Sequence, residues 1–175
     1  MALEHVSDAS LTTEYINKDA SSKTSSETGP EITQISETDF EEWARLFRAF
    51  IAYHRAALPD EQYEKTFRRL INPRTDLYAL VLRDRKEKTR LIGLAHYFPR
   101  QTTWMEEQIM ILNDLYIDEK FRRNGYARKM ILAVKEKAQE QGCHHLQWTT
   151  RHDNPARALY DQVARCEQVQ YRTNG

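Results

Sequence analysis

The run Ile109-Met110-Ile111-Leu112-Asn113-Asp114-Leu115-Tyr116-Ile117 and its continuation, Asp118-Glu119-Lys120-Phe121-Arg122-Arg123-Asn124-Gly125-Tyr126-Ala127-Arg128, together decide the fold. The first run is short, largely apolar and bounded by polar residues, which predicts a strand over 109–117. Beyond Gly125 the period changes. Ala127, Met130, Ile131, Val134 and Ala138 fall on one face of a helix. Gly142 then stands where a helix C-terminal glycine belongs. His145 to Thr150 reads as another strand. Strand, crossover helix and strand make a right-handed unit with parallel strands.

Working outward, Glu31-Ile32-Thr33-Gln34-Ile35 alternates as a first strand. Thr38 or Asp39 can cap a helix carrying Phe40, Trp43, Phe47, Phe50, Ile51 and His54, predicted to run to near Leu58-Pro59. A second helix comes after Pro59, with Asp60 as a cap and Tyr63, Phe67 and Leu70 as its stripe, and Pro73 ends it. Strands are predicted over 77–82 and 91–98, joined by the charged turn Arg83 to Arg90. The connection from Pro99 to Gln108 carries Thr102-Thr103-Trp104, and Trp104 reads as a packing lid rather than a ligand contact. Downstream, Asn154 caps and Pro155 opens a last helix with Leu159 and Val163 facing inward. Residues 167–172 read as a final strand. The predicted order is β-α-α-β-β-β-α-β-α-β. It belongs to the α/β (α+β) class, with one mixed sheet and helices on both faces.

Residues 1–29 hold few large apolar side chains and are rich in Ser and Thr. They predict a disordered tail, which leaves 30–175 as one domain. Lys plus Arg and Asp plus Glu are 26 each, so no net charge steers the chain toward nucleic acid or an anionic membrane. No apolar run approaches the ~20 residues that span a bilayer. The start lacks a basic-then-apolar secretory pattern, and Glu4, Asp8, Glu14 and Asp19 argue against a mitochondrial presequence. Cys143 and Cys166 make no disulfide framework and suit a reducing compartment, cytoplasmic or nuclear.

The turn between strand and helix carries the chemistry. A helix start exposes unpaired N–H groups and the positive end of the dipole, a site for an anion. Gly125 lets backbone approach a ligand, and Arg122, Arg123 and Arg128 add positive charge. A pyrophosphate is the natural guest. The three-glycine dinucleotide pattern and the Gly-Lys-Ser/Thr phosphate loop are both absent.

Asn113-Asp114-Leu115-Tyr116-Ile117, then Arg122-x-x-Gly125-x-Ala127, then Asn154 and Tyr160 resemble the GCN5-related N-acetyltransferase (GNAT) family over roughly 31–172. Thr102-Thr103-Trp104 through Tyr116 further resembles a fungal subgroup assigned to histones and to D-amino acids. The resemblance implies a GNAT-like domain using acetyl-coenzyme A as co-substrate and transferring acetyl directly to a primary amine in a ternary complex. It implies that Arg122, Arg123, Asn124, Gly125, Tyr126, Ala127 and Arg128 hold the pyrophosphate. Leu115, Tyr116 and Ile117 would pair with the pantetheine arm in a splay between their strand and the one at 145–150. An N–H near Leu115 or Tyr116 would face the thioester oxygen. Asn154 would contact the pantetheine or hold its own loop. Tyr160 would lie beside the sulfur and donate to the leaving thiolate, against a plain reading as core packing.

Asp114 is the candidate base, directly or through water; a structural hydrogen bond is an equal reading. Alternation places it on one strand face with Leu112 and Tyr116. Glu106 and Glu107 are fallback substrate-binding groups, more simply a solvated acidic loop. The acceptor is a small amine, an amino acid or a protein lysine, and a homo-oligomer is compatible with the family. Ala164-Arg165 departs from the glycine and aromatic that often come after the tyrosine helix, and the chain ends soon after. A non-catalytic coenzyme A-binding or interaction module is therefore the alternative, with another nucleotide binder behind it. No metal is expected: consecutive strand residues in Cys143-His144-His145 point to opposite faces and cannot converge on one ion. No motif supports Cys143 as a nucleophile.

Overall fold

The structure, a computed structural model, describes residues 29–167 together with Gln170 and Thr173. Most of the predicted tail lies outside the described residues. So do four of the six positions of the predicted strand over 167–172. The elements are β1 (Glu31–Gln34), α1 (Phe40–Tyr53), α2 (Asp60–Ile71), β2 (Tyr78–Arg83), β3 (Leu91–Arg100), β4 (Ile109–Ile117), α3 (Tyr126–Glu140), β5 (Leu146–Gln147) and α4 (Arg157–Val163). Among the described residues the strands lie in the order β1-β2-β3-β4-β5. The first three pairings are antiparallel and β4 pairs β5 in parallel. The mixed sheet and the parallel β4-α3-β5 crossover agree with the sequence reading.

Alternation along the strands splits the apolar side chains between two cores. Leu80, Leu82, Ala95, Met110 and Ile117 meet Met130, Ile131, Val134 and Ala138 of α3. Ala79, Val81, Leu91, Leu94 and Tyr116 meet Trp43 and Phe47 of α1 and Tyr63, Phe67 and Leu70 of α2. Helices therefore cover both faces. Gly93 lies where β3 crowds β4: a Cβ there would sit 2.7 Å from Ile117 Cδ1 and 3.1 Å from the Tyr116 carbonyl oxygen.

Two irregularities in the sheet shape the site. His96 pairs with Asp114 but the next residue, Tyr97, pairs with Leu112, so Asn113 is an extra residue in β4. This bulge reverses the alternation. Leu112 enters the α3-side core and Tyr116 the α1/α2-side core. Asp114 shares a face with Tyr116, whereas the alternation predicts that Leu112 is there too. The second irregularity is the brevity of β5. Its pairing with β4 consists of Met110 with Leu146 and Ile111 with Gln147, where a strand is predicted over 145–150. The bulge at Asn113 comes two residues after Ile111 and bends β4, so β5 has no straight edge to continue along.

Helix ends explain the remaining differences. The helix predicted to run to near Leu58 stops at Tyr53. Arg55 N–H bonds the Ala52 carbonyl, Ala56 N–H bonds the Ile51 carbonyl, and Arg55 takes φ 57°. That is a Schellman cap with arginine where glycine is usual. The same motif ends α3 with the expected Gly142, at φ 69°. Pro59, not Asp60, precedes α2 as its cap. The last helix begins at Arg157, after a turn in which Asn154 Oδ1 accepts from Ala156 N–H at 2.9 Å. Asp39 precedes α1, but its carboxylate is turned to Ser36 and Arg83 rather than to helix N–H groups. Trp104 is 88% exposed and covers nothing. No helix among the described residues is long and apolar enough to cross a membrane.

Candidate active site

The bulge presents the Asp114 carboxylate to the α1/α2 side of β4. There His96, directly across on β3, places Nδ1 2.9 Å from Asp114 Oδ2. Trp43 of α1 donates its indole N–H to His96 Nε2 at 2.8 Å. An indole nitrogen can only donate, so Nε2 is the bare, accepting nitrogen. Nδ1 therefore carries the ring proton and donates it to Asp114. His96 is 3% exposed and the Asp114 side chain 16%. The other Asp114 oxygen has no hydrogen-bond partner among the described residues, yet it is not sealed from solvent.

From Leu112 onward the β5-facing edge of β4 is unpaired by any strand among the described residues. The sequence-predicted Leu115, Tyr116 and Ile117 lie on this open stretch. Its far end leads into the basic turn. There Gly125 takes φ 74° and Arg123 φ 65°. Lys129 N–H bonds the Gly125 carbonyl, so the N–H groups of Tyr126, Ala127 and Arg128 precede the first intrahelical bond and point out of the helix. The first turn of α3 holds no acidic residue. A Cβ on Gly125 would meet nothing within 4 Å, which leaves room for an anion. Arg123 and Arg128 are exposed and without side-chain partners among the described residues. Arg122 is different. Its Nε donates to the Ile117 carbonyl at 3.0 Å, and its guanidinium stands over the Tyr116 ring at 5.4 Å and the Tyr53 ring at 5.9 Å. It fastens the turn to the end of β4. Asn124 likewise donates to the Phe121 and Arg122 carbonyls.

Tyr160 lies on the opposite, α3-side core, edge-on to Trp148 at 5.6 Å. Burial raises its pKa above the ordinary 10.0, and neighbouring Tyr53 adds to the shift. The phenol is thus held protonated at neutral pH. Asn154 Nδ2 donates to Thr150 Oγ1 at 2.7 Å, so both ends of its amide hold its own loop. Tyr53, His54 and Arg55 at the end of α1 face Arg151, Asp153 and Asn154 across a cleft of about 200 Å³. Arg151 and Asp153 pair bidentately at 3.0 and 2.7 Å. Arg55 has no side-chain partner among the described residues.

Other candidates stand apart. Glu106 and Glu107 are exposed. His144 and His145 precede β5 instead of lying in a strand, and their Nδ1 atoms are 2.9 Å apart. Strand alternation therefore does not hold these two on opposite faces. Among the described residues no three His, Cys, Asp or Glu side chains gather as a metal site. Burial pushes the Cys143 thiol up, the reverse of an activated thiolate. The sequence does not single out His96, Tyr53 or Arg55 as site residues. His96 alone left a signal, as the one histidine within the apolar run Leu91 to Phe98.

These features sit in a chain with clear relatives. Residues 43–164 match the family described as the acetyltransferase (GNAT) family. The chain is 34% identical over 146 residues to the D-amino-acid N-acetyltransferase HPA3 of Saccharomyces cerevisiae, covering 82% of this chain and 90% of that protein. A crystal structure of a probable acetyltransferase superposes with a TM-score of 0.71 at 21% identity, covering 83% of this chain and 95% of the other. The aminoglycoside acetyltransferase AAC(6')-Iy, in complex with a bisubstrate analogue of coenzyme A, gives 0.68 at 18% identity, covering 83% and 99%. These two likenesses concern the fold. The family match and the yeast relative together show that the chain belongs to the acetyltransferase (GNAT) family.

Proposed function

We propose that this protein transfers acetyl from acetyl-coenzyme A to the amino group of a small acceptor, amino acids foremost. One observation carries the reading. An unpaired stretch of β4 has a carboxylate, Asp114, on one face of the sheet and a phenol, Tyr160, packed against the other face. A thioester lying along that stretch would have a proton acceptor on one side and a proton donor on the other. The turn Arg122 to Arg128 takes the pyrophosphate on its open N–H groups, with Arg123 and Arg128 supplying charge. The pantetheine pairs with the backbone of Leu115, Tyr116 and Ile117. An N–H near Leu115 or Tyr116 stabilises the oxyanion.

The acceptor nitrogen attacks the acetyl carbon. A C–N bond forms and the C–S bond breaks. The nitrogen's proton goes to Asp114, directly or through water, and Tyr160 donates to the departing thiolate. The products are an amide and coenzyme A thiol, with no covalent enzyme intermediate. Asn154 holds the loop ahead of Tyr160. Two points favour an amino acid as the acceptor. One is the likeness to a D-amino-acid N-acetyltransferase. The other is the partnerless Arg55 guanidinium beside Tyr53, which suits an acceptor carboxylate.

The test is thiol release from acetyl-coenzyme A with D- and L-amino acids, their decarboxylated amines, and lysine peptides, run beside thermal shifts with acetyl-coenzyme A, ATP and NAD. Specific binding adds about 2.7 kcal/mol at a hundredfold excess over Kd. Turnover with amino acids supports the proposal. Turnover with peptides alone moves the acceptor to protein lysine. A shift with acetyl-coenzyme A but no turnover on any amine leaves the binding-module reading that Ala164-Arg165 raised.

A further inference from the structure

Trp43, His96 and Asp114 form a chain of two hydrogen bonds from the core between α1 and the sheet to the open edge of β4. We propose that Trp43 and His96 are positioning residues for the reaction. Trp43 fixes the His96 tautomer, and His96 aims Asp114 and keeps one of its oxygens occupied, so the other is the one that receives the acceptor's proton.

A buried imidazole with a free choice of tautomer would offer Asp114 a donor at one moment and a lone pair at the next. A lone pair against a carboxylate oxygen is repulsive. Trp43 removes the choice, because its N–H occupies the Nε2 lone pair. The remaining proton must be on Nδ1, directed at Asp114 Oδ2. The groups facing His96 are Trp43 and Phe47 from α1, Ala79 across from it on β2, and Asp114 on β4. Of these, only Asp114 carries a charge, so among the described residues no other charge competes for the ring.

The same geometry stops a proton from travelling inward. Passing it on from His96 would need a free lone pair on Nε2, and Trp43 holds it. A proton taken up by Asp114 must therefore leave from the outer oxygen, toward solvent. The chain orients the carboxylate; it is not a wire. Of the two sequence readings of Asp114, structural hydrogen bond and base, this arrangement uses one oxygen for each.

The test has two arms, and only the second rests on the acetyl-transfer reading. In the first, nitrogen-15 NMR of the full chain with labelled histidine identifies His96 by comparison with His96→Asn. The expected species at neutral pH carries its proton on Nδ1. Finding it on Nε2 overturns the proposal whether or not the protein turns over. In the second, the variants His96→Leu, His96→Asn and Asp114→Asn are compared. Losing a hydrogen bond to a charged group lowers kcat by roughly 10–100-fold in His96→Leu, with KM for acetyl-coenzyme A unchanged. Asn presents an N–H near the Nδ1 position, so His96→Asn recovers part of the loss. In the Asp114→Asn background, His96→Leu adds little, because His96 acts through Asp114. Losses that multiply in the double variant, or an Asn variant no better than Leu, would mean that His96 is only a packing residue.

Discussion

Replacing Arg55 by glycine is expected to stabilise the fold and damage the acceptor site together. Arg55 holds the left-handed position of the cap that ends α1, at φ 57°. Its N–H and that of Ala56 close the cap on Ala52 and Ile51. An L-residue in this conformation costs about 1–2 kcal/mol. Glycine adopts it freely but loses roughly 0.5–1 kcal/mol more chain entropy on folding. The Arg55 side chain is exposed, so little packing is lost. The net gain is about 0–1.5 kcal/mol, which for a domain of this size raises Tm by up to roughly 6 °C. Calorimetry reads that change. Steady-state thiol release reads the other: KM for amino acids rises about tenfold with the loss of a charge-assisted carboxylate contact. KM for acetyl-coenzyme A and for the decarboxylated amines stays level. A lower Tm would refute the proposed cap strain. An equal KM change for amino acids and simple amines would refute the carboxylate assignment.

Two further outcomes are expected from the same structure. Tyr160→Phe should lower kcat by about 10–100-fold with little change in KM for acetyl-coenzyme A, the low end for acid catalysis because a thiolate is already a good leaving group. Since burial raises the Tyr160 pKa above 10.0, the wild-type rate should show no loss from this phenol below that pH; a Tyr160→Phe enzyme with unchanged turnover removes it from the mechanism. The second concerns Asp39, which is 3% exposed and paired with Arg83 at 2.8 Å. Burial disfavours its charge, but the bonds from Arg83 and Ser36 outweigh that and hold its pKa below 3.8. Its contribution to stability is therefore complete above pH 3.8 and disappears as pH falls through the lower native value. Arg83→Met, which leaves the buried carboxylate without its cation and with only the Ser36 bonds, should cost about 2–4 kcal/mol at pH 7 by urea unfolding; equal urea midpoints for the two proteins at pH 7 would contradict it.

What was legible in the sequence was local. The switch from an apolar strand to a 3.6-residue period across Gly125 identifies β4, the basic turn and α3, because each signal spans only a few residues. The two-sided sheet is legible from alternation in β2, where Leu80 and Leu82 face one way and Ala79 and Val81 the other. Contacts set by register were not legible. His96 meets Asp114 from 18 residues away and Trp43 from 53, and a shift of one residue in either strand would separate them. The early end of α1 was hidden because arginine, not glycine, takes the left-handed cap. Trp104 carries no local sign of whether it packs, since that depends on what the loop lies against.

The bulge at Asn113 links these partial readings. In an unbroken alternation Asp114 would share the face of Leu112 and be turned toward the α3-side core, where no His96 waits and a bare carboxylate is costly to bury. The same straight strand would go on pairing with β5 and leave no open backbone for a ligand. The bulge therefore does two jobs. It turns the carboxylate to the face that carries Trp43 and His96, and it frees the edge on which a thioester can lie. Tyr160 belongs to the other face. Acyl transfer needs a nucleophile arriving on one side of the acetyl carbon and a sulfur departing on another. A sheet opened along the outer edge of β4 would meet that need in the proposed reaction, by letting the two reactants approach from opposite faces.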